Sequence, residues 1–283
     1  MHLLGSTQAE IQYHYDTDDA FYRLWLGDEQ IYSCALWEQP DASLEKAQRA
    51  KLQYHLHNLH LPKHANLLDI GCGWGALLHF ATKHFEVDTA IGLTLSQNQC
   101  QFIRSIGGDG VEVRLEHWLQ HKPKFWYDGI VSIGALEHFT RPEDSTDQKR
   151  QIYRRFFESC SQWLCAEGRL SLQTIAYGSM VPSEASEFMQ KDIFPGSELP
   201  RQEELLTSAK PYFTVVQCCN HHRDYAKTCE CWLRNLQRHR DRAHELVGKA
   251  ITAKYERYLR LSAIGFKTGR LHLLRIVFQK SNG

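Results

Sequence analysis

The stretch Leu67-Leu68-Asp69-Ile70-Gly71-Cys72-Gly73-Trp74-Gly75 constrains this chain more than any other. An apolar run delivers a carboxylate, then three glycines at alternate positions, then a helical pattern. That order predicts a strand, a tight turn and a helix. Glycine is required where the backbone bends sharply or approaches a ligand closely. Open α/β sheets bind their ligands at such carboxyl ends of strands. The spacing is G-x-G-x-G, not the G-x-G-x-x-G of dinucleotide sites, and Asp69 precedes the first glycine. A carboxylate there repels a pyrophosphate and attracts an ammonium or sulfonium group. The combination points to S-adenosylmethionine (SAM). An ordinary glycine-rich turn is the competing reading, and the flanking strand–helix alternation weighs against it.

That alternation runs through the middle of the chain. Strands are expected at Asn66–Ile70, Val87–Leu93, Val111–Leu115, Asp128–Ile133 and Arg169–Ile175, with helices at Trp74–Phe85, Ser96–Ile106 and Asp147–Leu164. Such spacing implies βαβ units and a parallel sheet. Before it, Ser43–His57 reads as a helix capped by Ser43. After it, Tyr212–Cys218 and Leu271–Gln279 read as strands flanking helices at Tyr225–Leu246 and Ala250–Ile264. The expected class is α/β, a Rossmann-like sheet with helices on both faces and a helical substrate-covering insertion. One domain is expected over 1–283. Its parts are an N-terminal helical cap (1–60), a SAM-binding core (61–176), an insertion broken by Pro182, Pro195 and Pro200 (177–210), and C-terminal strands and helices (211–283).

Thirty-three basic and thirty-three acidic residues cancel, which argues against a nucleic-acid-coating protein. No apolar run reaches the roughly 20 residues of a bilayer-spanning helix. The start, MHLLGSTQAE, has neither a basic nor an apolar signal region, so a cytoplasmic protein is expected. Nine cysteines, an odd number in a long chain, read as reduced thiols. Cys218, Cys219, His221, His222, Cys229 and Cys231 are dense enough to raise zinc. However, Cys229 and Cys231 fall on different faces of one helix, and no metal is expected. From His221 onward there are fourteen Lys/Arg and five Asp/Glu, a local balance of +9. Arg234, Arg238, Arg242 and Lys249 recur at helical spacings there. They read either as a solvated face or as a docking surface for phospholipid head groups or an acyl carrier protein.

In its motifs the chain resembles the cyclopropane-fatty-acid synthase and mycolic-acid cyclopropane synthase family of SAM-dependent methyltransferases. The likeness spans roughly residues 12–280. It rests on His14-Tyr15-Asp16 with Phe21-Tyr22-Arg23-Leu24-Trp25-Leu26, Tyr32-Ser33-Cys34-Ala35, Leu44-Glu45-Lys46-Ala47-Gln48 and the Asp69–Gly75 loop. It continues through Thr94-Leu95-Ser96 with Gln99, Ile130-Val131-Ser132-Ile133 leading into Glu137-His138-Phe139, and Thr174-Ile175. Asp192-Ile193-Phe194-Pro195-Gly196, Asp224-Tyr225 and Trp232 complete it. Each piece is weak alone; their order and spacing together are specific.

The resemblance implies methyl transfer from SAM to an alkene carbon of an unsaturated acyl chain or similar apolar substrate, giving a cyclopropane or a methyl branch through a carbocation. It implies cofactor contacts at Asp69, Gly71 and Gly73 for the methionine end, and at Tyr32 and Ser33 closing over it. Thr94, Leu95 and Gln99 would meet the ribose and adenosine, Trp118 the adenine, and Ile133 the same pocket. It further implies a bicarbonate base held by Cys34, Glu137, Ile175 and Tyr225. Gln173 stands where many members carry His, and a neutral amide can donate and accept but never become cationic.

Plainer roles stand beside these. Cys34 could be a buried thiol, Tyr225 a core aromatic, and His138 a structural histidine rather than a base. The rival function is a small-molecule methyltransferase acting on an amine, a phenol or an isoprenoid, which needs no bicarbonate. A non-catalytic SAM-binding protein is a third reading, which the intact Asp69 loop disfavours.

Overall fold

A computed structural model describes residues 5–7, 9–10, 19–184 and 187–281; the His14-Tyr15-Asp16 motif lies outside the described residues. Helix α1 (Asp19–Leu26) buries Phe21, Tyr22, Trp25 and Leu26. Helix α2 (Leu44–Leu59) begins where the Ser43 side chain accepts the Lys46 N–H, as its sequence predicts, and ends at left-handed His60. Then follow β1 (Ala65–Ile70), α3 (Ala76–His84), β2 (Val87–Thr94), α4 (Gln97–Ile106), β3 (Val111–Leu115), β4 (Tyr127–Ile133) and α5 (Thr146–Trp163). Ser96 caps α4 by accepting the Gln99 N–H, and Ser145 with Gln148 forms a capping box on α5. The chain closes with β5 (Leu164–Tyr177), α6 (Gln202–Ala209), β6 (Phe213–Asn220), α7 (His222–Arg238), α8 (Arg240–Lys267) and β7 (Leu271–Lys280).

The expected α/β architecture is present as one seven-stranded sheet in the order β3-β2-β1-β4-β5-β7-β6. The first five strands run parallel, and β7 runs antiparallel to both neighbours. The winding direction reverses between β1 and β4, so a crevice opens beyond their carboxyl ends. Gly71 sits in that crevice at φ 84°, and a Cβ there would lie 2.4 Å from Ala135 Cβ. No other residue fits. Leu68, Ile91, Ile130 and Leu172 of the sheet pack with Phe156 and Phe157 of α5 on one side. On the other side Leu67 and Ala90 meet Leu78, Ala81 and Ile103 of α3 and α4. A third cluster joins Phe21, Tyr22 and Trp25 of α1 to Trp232 of α7 and Tyr255 of α8, so the N-terminal helix sits on the C-terminal ones.

Two expectations need correction. The helix expected over Tyr225–Leu246 is itself interrupted at His239, whereas the break expected before Ala250 is present, at Gly248 (φ 82°, ψ 164°). Arg234 and Arg238 therefore lie on α7, and Arg242 and Lys249 on α8, so they do not share one helix face. Residue spacing cannot reveal two helices joined through a single non-helical residue. The second correction concerns β5, which starts at Leu164 and carries the expected Glu167-Gly168 turn as an irregularity, with Glu167 at φ 61°. Between β5 and α6 the insertion forms a short turn at Pro182–Glu184 and a π-helical turn at Phe188–Ile193.

Candidate active site

Two cavities meet at the carboxyl end of the sheet. The first, about 150 Å³, is lined by all ten residues expected to hold the cofactor: Tyr32, Ser33, Asp69, Gly71, Gly73, Thr94, Leu95, Gln99, Trp118 and Ile133. Asp69, the penultimate residue of β1, is buried, and its Oδ1 has no hydrogen-bond partner. Burial pushes its carboxyl up to about 7, against the pull of the Lys51 charge. A buried carboxylate oxygen without a donor is poised for a cationic ligand group. The Thr94 hydroxyl donates to Gln99 Oε1 over 2.7 Å, which turns the Gln99 amide nitrogen away from Thr94. Trp118 stacks on His117 and packs on Phe139, and its Nε1 is buried without a partner. The donor set suits SAM: a carboxylate for its ammonium, an amide for its ribose, and an aromatic face for its adenine.

Lys51 was not foreseen. It is 1% exposed, lines this cavity, and its Nζ donates to Ser33 Oγ over 2.9 Å. Burial, reinforced by the Arg275 charge, pushes its ammonium down to about 7. Gln48 Nε2 donates to Ser33 O over 3.0 Å, so α2 grips the Tyr32–Ser33 segment from below. The Tyr32 hydroxyl donates to that of Tyr258 on α8 over 3.0 Å.

The second cavity, about 320 Å³, is mainly apolar, with Met189, Phe194, Leu261, Ile264 and Leu271 in its wall. Glu137, Gln173, Ile175 and Tyr225 line it, so four of the five expected catalytic residues are brought together. Tyr32, Ser33, Gly134 and His138 line both cavities and form their common wall. Glu137 Oε1 accepts the Ile175 N–H over 2.6 Å, while Oε2 is buried with no partner. Burial pushes this carboxyl up to about 7, so near neutral pH it can carry or release a proton. Tyr225 stacks on Phe266 with ring centroids 4.3 Å apart.

Cys34 lines neither cavity. It is fully enclosed, and its thiol lies 3.6 Å from Arg275 Nη2. Burial pushes that thiol up to about 12, so it stays protonated. His138 Nδ1 lies 2.7 Å from Ser197 Oγ, and burial lowers its ring to about 4, which suits a neutral, positioned side chain. Among the described residues no group of three or more His, Cys, Asp or Glu is arranged to hold a metal ion, and the nine thiols are free. Cys218 is exposed on β6 whereas Cys229 is buried on α7.

Arg275 was also missed. A charge in the middle of the apolar strand LHLLRIVFQK was the available signal. Lys51 carried a weaker one, a lysine flanking the apolar stripe of α2.

Comparison with known proteins agrees with this geometry. The family model described as mycolic acid cyclopropane synthetase matches residues 4–276. The S-adenosylmethionine-dependent methyltransferase UmaA of Mycobacterium tuberculosis is 37% identical over 270 residues, covering 88% of this chain and 90% of that protein. The solved cyclopropane synthase MmaA2 of Mycobacterium tuberculosis superposes with a TM-score of 0.88 at 31% identity, over 98% of this chain and 99% of that one. The mycolic acid cyclopropane synthase CmaA1, solved with SAH and CTAB, does so at 0.88 and 32%, with the same coverage.

Proposed function

Since the chain belongs to the mycolic acid cyclopropane synthetase family, we propose that its two joined cavities bring SAM and an unsaturated acyl chain together for methyl transfer to an alkene carbon. The protein is a SAM-dependent methyltransferase. One observation carries the reading: a cavity lined by every residue expected at the cofactor, with an unpartnered buried Asp69 oxygen, shares a wall with an apolar cavity holding an unpartnered buried Glu137 oxygen.

Bound SAM supplies an electrophilic methyl group on a sulfonium. Asp69 holds the ammonium of its methionine end, Tyr32 and Ser33 cover it, and Gln99 and Trp118 take the ribose and adenine. The alkene lies in the second cavity. As the carbon–carbon bond forms and the carbon–sulfur bond breaks, positive charge develops on the neighbouring alkene carbon. The apolar wall, which includes Tyr225, keeps water from that carbon. Loss of a proton from the added methyl closes a cyclopropane, and loss from a chain carbon leaves a methyl-branched alkene.

A small oxyanion, bicarbonate, is the proton acceptor in this proposal. Protonated Glu137 donates to it, Gln173 and Tyr225 bind it from the wall of the same cavity, and Ile175 fixes Glu137. The Cys34 thiol stays out of contact. The solved relative with SAH and CTAB supports the pairing of a cofactor site with a site for a chain-like molecule. The basic region from His221 favours a phospholipid surface or an acyl carrier protein as the carrier, with a cytoplasmic protein working at the membrane periphery. No described helix is long and apolar enough to cross a membrane. The apolar wall favours an alkene over an amine or phenol acceptor.

The test is incubation with methyl-labelled SAM and matched saturated and unsaturated lipids, free and carrier-bound. Label should enter unsaturated chains alone. Equal labelling of saturated chains, or of head groups, would defeat the reading.

A further inference from the structure

Arg275 is the cross-strand partner of Gln173 in the β5–β7 pairing, and it is fully buried. Its Nε donates to Gln173 Oε1 over 2.8 Å. Its Nη2 donates to Cys34 O over 3.2 Å and to Ala35 O over 3.0 Å. Asp224 Oδ2 lies 3.8 Å from Nη1, and Asp224 immediately precedes Tyr225. One guanidinium thus touches or borders three of the segments that wall the second cavity, while lining neither of the two cavities itself.

Arginine can only donate, so the atom of Gln173 that meets it must be the amide oxygen. His55 Nε2 is 3.4 Å from the same oxygen, and its Nδ1 is anchored 2.8 Å from Ser171 Oγ. Both contacts fall on the oxygen. The side chain cannot flip without placing its NH₂ against a guanidinium, so its nitrogen is left to the cavity side. A histidine at this position would have to turn an unprotonated ring nitrogen to Arg275 and could not readily become cationic there. Gln173 and Arg275 therefore act as one unit.

We propose that Arg275 is a positioning residue that locks Gln173 with its amide N–H toward the apolar cavity, making position 173 a fixed neutral donor for the proton-accepting oxyanion. This rests on the reading of the second cavity given above and assigns the anion's orientation to a residue outside it. Breaking the pair lets the amide rotate and present its oxygen, which repels an anion.

The decisive variant is Gln173→Glu. A carboxylate satisfies Arg275 at least as well as the amide, so the fold should hold, but it brings no donor to the cavity. Methyl transfer to an unsaturated lipid is followed in decarbonated buffer during bicarbonate titration, with SAM affinity and melting temperature measured in parallel. Gln173→Glu should raise the half-saturating bicarbonate concentration about tenfold or more, as expected for a lost donor to an anion, with SAM affinity within about twofold and melting temperature undiminished. Arg275→Gln should act in the same direction. If it fails to fold, Arg275→Lys, which keeps the buried charge but loses the fork that holds Gln173 Oε1, Cys34 O and Ala35 O, takes its place and should act in the same direction. A wild-type bicarbonate response in Gln173→Glu would reduce Gln173 to an acceptor for Arg275 and overturn the proposal. Wild-type enzyme indifferent to bicarbonate would instead overturn the anion reading itself, and the proposal with it.

Discussion

The Ile175 N–H donates to Glu137 Oε1 over 2.6 Å and leaves Oε2 buried and unpartnered at the wall of the apolar cavity. One oxygen is spent on holding the carboxyl in place and the other is kept for chemistry. Glu137→Gln keeps the Ile175 contact through its amide oxygen but cannot exchange a proton. Turnover should fall by about a hundredfold or more, the scale of a lost proton-handling group, with SAM affinity unchanged. Unaltered steady-state kinetics would remove Glu137 from the reaction.

Asp69 predicts a proton count. Its carboxyl is pushed up to about 7 in the cofactor-free protein, and a bound ammonium would pull it down. Cofactor binding at about pH 6 should therefore release a proton, visible in calorimetry as an enthalpy that changes with the ionisation heat of the buffer. Asp69→Ala should abolish the release and weaken SAM binding by more than about tenfold through the lost charge-assisted contact. Buffer-independent enthalpies would contradict the placement.

The same shifts set a stability slope. Asp69 and Glu137 both rise to about 7 on folding, from ordinary values of 3.8 and 4.5. Between those values and 7 the folded state binds more protons than the unfolded one, so stability falls as pH rises through that window. Thermal melts of the cofactor-free protein should show the decline, and Glu137→Gln should flatten it. Lys51, lowered to about 7, acts oppositely above that pH.

Lys51→Met separates folding from binding. Burying an ammonium carries a desolvation cost that an apolar side chain of similar length does not. It also removes the bond to Ser33 Oγ and the positive charge near Asp69. The melting temperature should hold or rise while SAM affinity drops several-fold. A parallel loss of both would make Lys51 merely structural.

What the sequence revealed and concealed follows from the range of the forces involved. The Asp69–Gly75 loop was legible because a turn of this tightness needs glycine locally, and every residue placed at the cofactor by resemblance does line that cavity. Ser43 and Ser96 announced their helices because capping is a three-residue interaction. Arg275 and Gln173 are 102 positions apart and meet only through strand pairing, which no local pattern records. Cys34 looked like a site residue in its motif, yet its thiol turns from the cavity toward that same arginine. The helix break at His239 was hidden because both flanking segments are strongly helical.

Methyl transfer to an alkene carbon is tested most directly by where the methyl arrives. The protein is incubated with SAM carrying an isotope-labelled methyl and an unsaturated lipid, and the product is read by NMR. The label should appear bonded to carbon at the former double bond, as a ring methylene or a methyl branch. Label on nitrogen or oxygen, with the double bond intact, would contradict the assignment.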